Sequence, residues 1–156
     1  VVRWSDGFYG GLLAAVISAI FYAIVSAVTR GSVGVFYADI ARALPPLRGT
    51  ADGAATIIVG AIVYLIVAIL FGIIYALLAG RIDSMLHAPT SVLWGIFYGL
   101  LTWWVLANVA VPVLGAANLL PAWESIVGCI LFYGLVLSEY TTIAYRRVLA
   151  EAAAGR

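Results

Sequence analysis

Hydrophobic positions in this chain fall into four nearly unbroken runs, roughly Gly7 to Val28, Ala54 to Ala79, Val92 to Leu114 and Trp123 to Ala144. Each is longer than the ~20 residues that, at ~1.5 Å rise per residue, cross a ~30 Å hydrocarbon layer. None alternates with period two, so the runs predict helices rather than the ~10-residue strands of a membrane barrel. Polar or turn-rich stretches separate them: Thr29 to Gly53, Gly80 to Pro89 and Gly115 to Pro121. The first of these has a pattern of its own. Val33, Phe36, Tyr37, Ile40 and Leu44 recur near helical spacing, with Asp39 and Arg42 on other faces, until Pro45-Pro46 ends the series. That predicts a short interfacial helix over about 33–44. The expected fold is all-α: a polytopic membrane protein, one domain over 1–156, built as a four-transmembrane-helix bundle.

Composition narrows the function. The chain is 65% hydrophobic and 10% charged, where a soluble domain carries about 25% charged residues. No stretch outside the runs is long enough for a separate enzyme module, and no nucleotide loop or catalytic constellation is visible, so the expectation is a protein that is not an enzyme. The net charge is +1 and the longest basic run is Arg146-Arg147, which gives nucleic-acid binding no support. Arginine sets the expected orientation. With four spans, Arg3, Arg81, Arg146, Arg147 and Arg156 share one side against Arg30, Arg42 and Arg48 on the other, a bias that places both termini in the cytoplasm. Trp4, Trp94 and Trp123 at the span ends fit the headgroup region.

Small residues form packing seams. Gly7, Gly11, Ala15, Ala19, Ala23 and Ala27 follow at four-residue spacing in the first span, as do Ala68, Gly72, Ala76 and Gly80 in the second; the third offers Gly95, Gly99 and Ala107. Helices in lipid associate largely by close approach over such residues, so the first two spans are expected to cross tightly. An internal echo adds to this: Gly10-Gly11-Leu12-Leu13 resembles Tyr98-Gly99-Leu100-Leu101, and Ile58-Val59-Gly60-Ala61-Ile62 resembles Ile126-Val127-Gly128-Cys129-Ile130. Read as a repeat, the pattern is that of a helical hairpin used twice in parallel; apolar composition alone produces such matches as well.

Few polar side chains interrupt the runs. Glu139 lies at hydrocarbon depth, about 10 Å in from Arg146 at ~1.5 Å per residue, where a carboxyl faces the bundle interior or a partner. Tyr98, at similar depth on the third span, is its expected hydroxyl partner, with a proton or ion relay as the alternative. Asn108 predicts a helix-to-helix hydrogen bond worth about 1 kcal/mol, and Pro112 a loosened last turn of the third span. Trp103 and Trp104 sit mid-span about 100° apart around the helix, so at least one ring points away from the packing face. Cys129 reads as an inert core residue. His87, beside Asp83, has no second ligand at metal or haem spacing. No intrinsic cofactor is expected; a lipid or pigment bound at the bundle surface fits the apolar, aromatic exterior.

The stretch Trp94-Gly95-Ile96-Phe97-Tyr98-Gly99-Leu100-Leu101-Thr102-Trp103-Trp104, continuing to Val111-Pro112-Val113-Leu114-Gly115, resembles the third span of YagU-like and related four-helix bacterial inner-membrane proteins. Leu131-Phe132-Tyr133-Gly134-Leu135-Val136-Leu137 resembles their fourth span. The resemblance covers about half the chain and implies a bacterial cytoplasmic-membrane location. Members of that group often carry a histidine near the start of the last span, where this chain has Val127 and Gly128. The expected function is a non-catalytic integral membrane subunit that packs in a larger respiratory or photosynthetic complex, its partners being membrane lipids and other membrane-protein subunits. The alternative is a small homo-oligomeric transporter or channel with Glu139 as its intramembrane ionisable group.

Overall fold

The computed structural model describes residues 2–51, 53–87, 89–110 and 122–154, and among them the regular elements are all helical. Helix α1 spans Trp4–Arg30. Its start is set by the Asp6 carboxylate, which accepts the Arg3 backbone N–H at 2.7 Å, and its end by Gly31, whose φ of 74° turns the chain left-handed as only glycine does readily. Helix α2 (Val35–Ala43) follows, closed by a short turn at Pro45–Leu47. Helix α3 is Ala54–Ala79, and a second short turn, Asp83–Leu86, leads to α4 (Thr90–Val105). The third span then continues as a π-helical turn over Leu106–Ala110. The fourth span is α5 (Ala122–Val127), a π-helical segment Gly128–Gly134, and α6 (Leu135–Ala154). Among the described residues, four helices are long and apolar enough to cross a membrane: Trp4–Arg30, Ala54–Ala79, Thr90–Val109 and Trp123–Ala154.

Three sequence expectations need correction. The last helix runs on past Ala144, where the apolar run ends, to Ala154, because Arg146, Arg147 and Glu151 end the apolar run without ending the helix. The third and fourth spans are not uniform α-helices, since both contain π-helical segments. The seam in α1 is shorter than its spacing suggests: Gly7, Gly11 and Ala15 are buried, but Ala19, Ala23 and Ala27 are only half-buried. Pro112, the stretch Val111 to Gly115, the last connection and Arg156 lie outside the described residues.

At the end of the bundle that carries the termini, two hairpins close on glycine. A Cβ placed on Gly72 would lie 2.5 Å from the Gly11 Cα and 2.6 Å from the Gly7 carbonyl, so α1 and α3 meet backbone to backbone there. Ala76 and Ala68 extend the same contact. In the second hairpin Gly95 and Gly99 of α4 face Gly134, where a Cβ would strike the Gly95 carbonyl and lie 2.9 Å from the Gly99 Cα. Gly7 and Gly11 therefore play the part of Gly95 and Gly99. The matching position of the second and fourth spans is Gly72 with Gly134, not Gly60 with Gly128: Gly60 instead receives the Tyr37 carbonyl of α2, and Gly128 the Tyr22 ring.

Candidate functional site

Beyond the glycine crossings, toward α2, aromatic side chains take up the space between the helices. Tyr22 stacks on Phe36 with ring centroids 4.5 Å apart, and Tyr64 meets both edge-on. Tyrosine hydroxyls then tie the two hairpins together through backbone carbonyls. Tyr98 donates to the Phe71 carbonyl at 2.6 Å, Tyr133 to that of Ala68, and Tyr22 to that of Ser125 at 3.3 Å. Such bonds each contribute roughly 0.6–1.7 kcal/mol in lipid. Tyr37, on α2, reaches the Ala19 carbonyl at 2.8 Å, and burial pushes its phenol up to about 12, so it donates as a neutral group.

This packing leaves a half-open cavity of about 280 Å³ between α2 and the spans. Phe36, Ile40, Ala43 and Leu44 form its α2 wall, Val63, Val67 and Phe71 its α3 wall, and Thr102 and Val105 its α4 wall. Leu106, Val109, Cys129 and Tyr133 come from the two π-helical segments, and π turns are frequent at functional sites. The lining is almost wholly apolar. Its polar groups are mostly satisfied within the chain: the Ser18 hydroxyl donates to the Ala14 carbonyl and lies 2.6 Å from the Tyr64 hydroxyl. The exception is Thr102, 4% exposed, whose hydroxyl has no hydrogen-bond partner. A void of about 280 Å³ would forgo at most roughly 7 kcal/mol of packing at ~24 cal/mol per Å³.

Glu139 and Asn108 are placed differently from what was expected, while the Trp103–Trp104 pair splits as expected. Glu139 is exposed on the outside of the bundle rather than turned into it, and Tyr98 bonds Phe71 instead; the helix phase of α6 points Leu137, Ser138 and Thr141 inward. Asn108 makes no helix-to-helix bond, because its amide folds back 3.0 Å onto the Trp104 carbonyl of its own helix. Trp104 is 53% exposed, whereas Trp103 donates its indole N–H to the Ser125 hydroxyl on the fourth span at 2.9 Å. His87 lies 2.7 Å from the Asp83 carbonyl through Nδ1, and no group of metal-ligating side chains is found among the described residues. Sequence reasoning missed Thr102 and the aromatic wall of Tyr22, Phe36 and Tyr64. It also missed Glu124, buried at the start of the last helix, which its place at a span edge had disguised.

The class these features define is an all-α bundle of four helices, each long and apolar enough to cross a membrane, with an apolar cavity at one end. Compared with protein-family models, with curated proteins and with solved structures, the chain matches none.

Proposed function

We propose that the chain is a non-catalytic integral membrane subunit of a bacterial inner membrane, both termini cytoplasmic, that packs beside and stabilises another membrane protein. The membrane part is supported by α3, the most apolar helix, of whose most apolar stretch only 17% is buried. Ile58, Ile62, Ile66, Leu70, Ile74 and Leu77 all face outward, a surface that lipid solvates and water does not. The arginine distribution supports the orientation.

The observation that carries the subunit reading is Glu139. A carboxyl well inside a span is costly against lipid and is retained where a partner covers it. The partner's chemistry follows: a hydrogen-bond donor at the same depth. Extraction in mild detergent followed by native mass analysis tests this. The chain co-migrates with another membrane protein, Glu139→Gln keeps the association and Glu139→Leu loses it; a chain that runs alone, or association indifferent to both variants, refutes the reading. A second reading, a small homo-oligomeric transporter or channel, draws on the π-helical interruptions of two spans, since transport sites favour discontinuous helices. It requires pH-driven flux in proteoliposomes of the isolated chain that vanishes in Glu139→Gln.

A further inference from the structure

We propose that the cavity beneath α2 binds a neutral lipid that brings a carbonyl oxygen on an apolar body to mid-membrane depth, the chemistry shared by prenylquinones and acylglycerols. The proposal rests on the membrane reading but not on the subunit role.

Volume comes first. At about 280 Å³ the cavity sits just below the ~300–1,000 Å³ of small-molecule sites, room for a small ring or one chain segment. Its apolar walls do not hold water, which needs two or more polar partners, and an empty space forfeits the contacts of every atom lining it. A hydrocarbon-rich molecule restores them.

The polar group narrows the class. Ser18, Tyr22, Tyr64 and Tyr133 use their hydroxyls inside the chain, so Thr102, buried and unpartnered, is the donor on this wall that lacks an acceptor. Its oxygen is itself buried, so meeting a ligand in the cavity requires rotation about the Cα–Cβ bond, which exchanges hydroxyl for methyl between the two rotamers threonine adopts in helices. An anion there would bear a large desolvation penalty, whereas a carbonyl bears little once bonded. Depth narrows the class again. Thr102 stands about 18 Å beyond the start of α4 at ~1.5 Å per residue, near the middle of a ~30 Å layer. Charged headgroups stay at the surface; a neutral carbonyl lipid reaches this level.

The second and third spans touch at Tyr98, whose ring lies 4.9 Å from that of Tyr75 and whose hydroxyl bonds Phe71. Farther toward α2, Val67 and Val105 line opposite walls of the cavity.

The test uses the purified full chain in phosphatidylcholine nanodiscs. It is titrated separately with a decyl-benzoquinone and with dioctanoylglycerol, each also as a diazirine photoprobe, and read by native mass spectrometry. One molecule per chain of at least one compound is expected, with photoadducts on α2, α3 or α4. Thr102→Val should weaken binding about three- to tenfold while leaving the melting temperature of the empty chain unchanged or raised, because it removes an unsatisfied hydroxyl. Val105→Trp should abolish binding by filling the space. Quinone binding alone assigns the ring-headed source, and glycerolipid binding alone the acyl source. No binding of either by a folded chain overturns the proposal, as does binding that Thr102→Val leaves unchanged. Failure of the membrane reading is a separate result: the chain would not partition with bilayers at all.

Discussion

The two ends of this bundle solve the same packing problem in opposite ways. At the termini end, helices approach until backbone meets backbone, with Gly7 and Gly11 on Gly72 in one hairpin and Gly95 and Gly99 on Gly134 in the other. At the α2 end rings take the space: Phe21 stacks on Phe132 at 4.4 Å, and Tyr22, Phe36 and Tyr64 cluster beneath α2. Backbone contact leaves no volume over, because small residues have no side chain to place wrongly. Large rings leave space between them that backbone contact does not, and a cavity remains beside them. The π-helical segments belong to this second regime, each widening its helix by an extra residue per turn where the cavity lies.

The largest expected effect lies at the tight end. Gly72→Leu puts a side chain into the backbone of α1 on two sides, at 2.5 and 2.6 Å from its first atom, so neither neighbour yields by a rotamer change. The loss should reach or exceed the upper end of the ~1–3 kcal/mol typical of overpacking, seen as a collapse of thermal stability in detergent. Gly134→Leu should cost a comparable amount if the hairpins are equivalent; a mild Gly134 variant beside a severe Gly72 variant breaks that equivalence. Ala19→Leu separates the structure from the bare four-residue spacing. A half-buried Ala19 allows the added atoms to turn outward, and the variant should lose under about 1.5 kcal/mol.

How much of this was legible in the residues differs between the two ends. Length and apolarity alone set out four spans, and the limits of α3 follow from its flanking Gly53 and Gly80. The glycine spacing also located the tight crossing, because a residue without a side chain has one steric use on a helix face. The α2 end was much harder to read. Tyr22, Tyr64 and Tyr133 lie in different spans and converge only when helix phase is known, and no local pattern marks a π turn such as Gly128–Gly134. Thr102 looked like one hydroxyl among many. Glu139 was conspicuous by depth, yet depth does not say which way a side chain faces; a small change in helix phase turns it from the interior to the surface.

A middle-sized effect probes the loose end. Tyr133→Phe keeps the ring and removes the hydroxyl that joins the fourth span to the Ala68 carbonyl, and should cost about 1 kcal/mol. Since that carbonyl belongs to an α-helix, its own intrahelical bond remains, so the damage stays local. Trp103→Phe, which gives up the bond to Ser125, should behave alike. If either variant proved as severe as Gly72→Leu, the α2 end would be held as rigidly as the termini end and the contrast would fail.

The smallest expected effect concerns the polar edge of α2. Asp39 accepts Arg30 and Arg42, each at 2.6 Å, and so binds α2 to the end of α1. The three side chains are 24–28% exposed, so water and salt screen much of the attraction, and the pair within α2 needs no tertiary contact at all. Asp39→Asn should therefore lower stability by only about 0.2–1 kcal/mol, with a difference that shrinks further as ionic strength rises past ~0.15 M. A salt-independent loss of several kcal/mol would show that α2 is held by its charges. A small, screened loss places its attachment in the apolar contacts of Phe36, Ala38 and Ala41 and in the seat that Gly60 provides for the Tyr37 carbonyl. In that case α2 covers the cavity as a packed wall, and Ala41→Leu, which overfills a fully buried site, should destabilise the chain more than Asp39→Asn does.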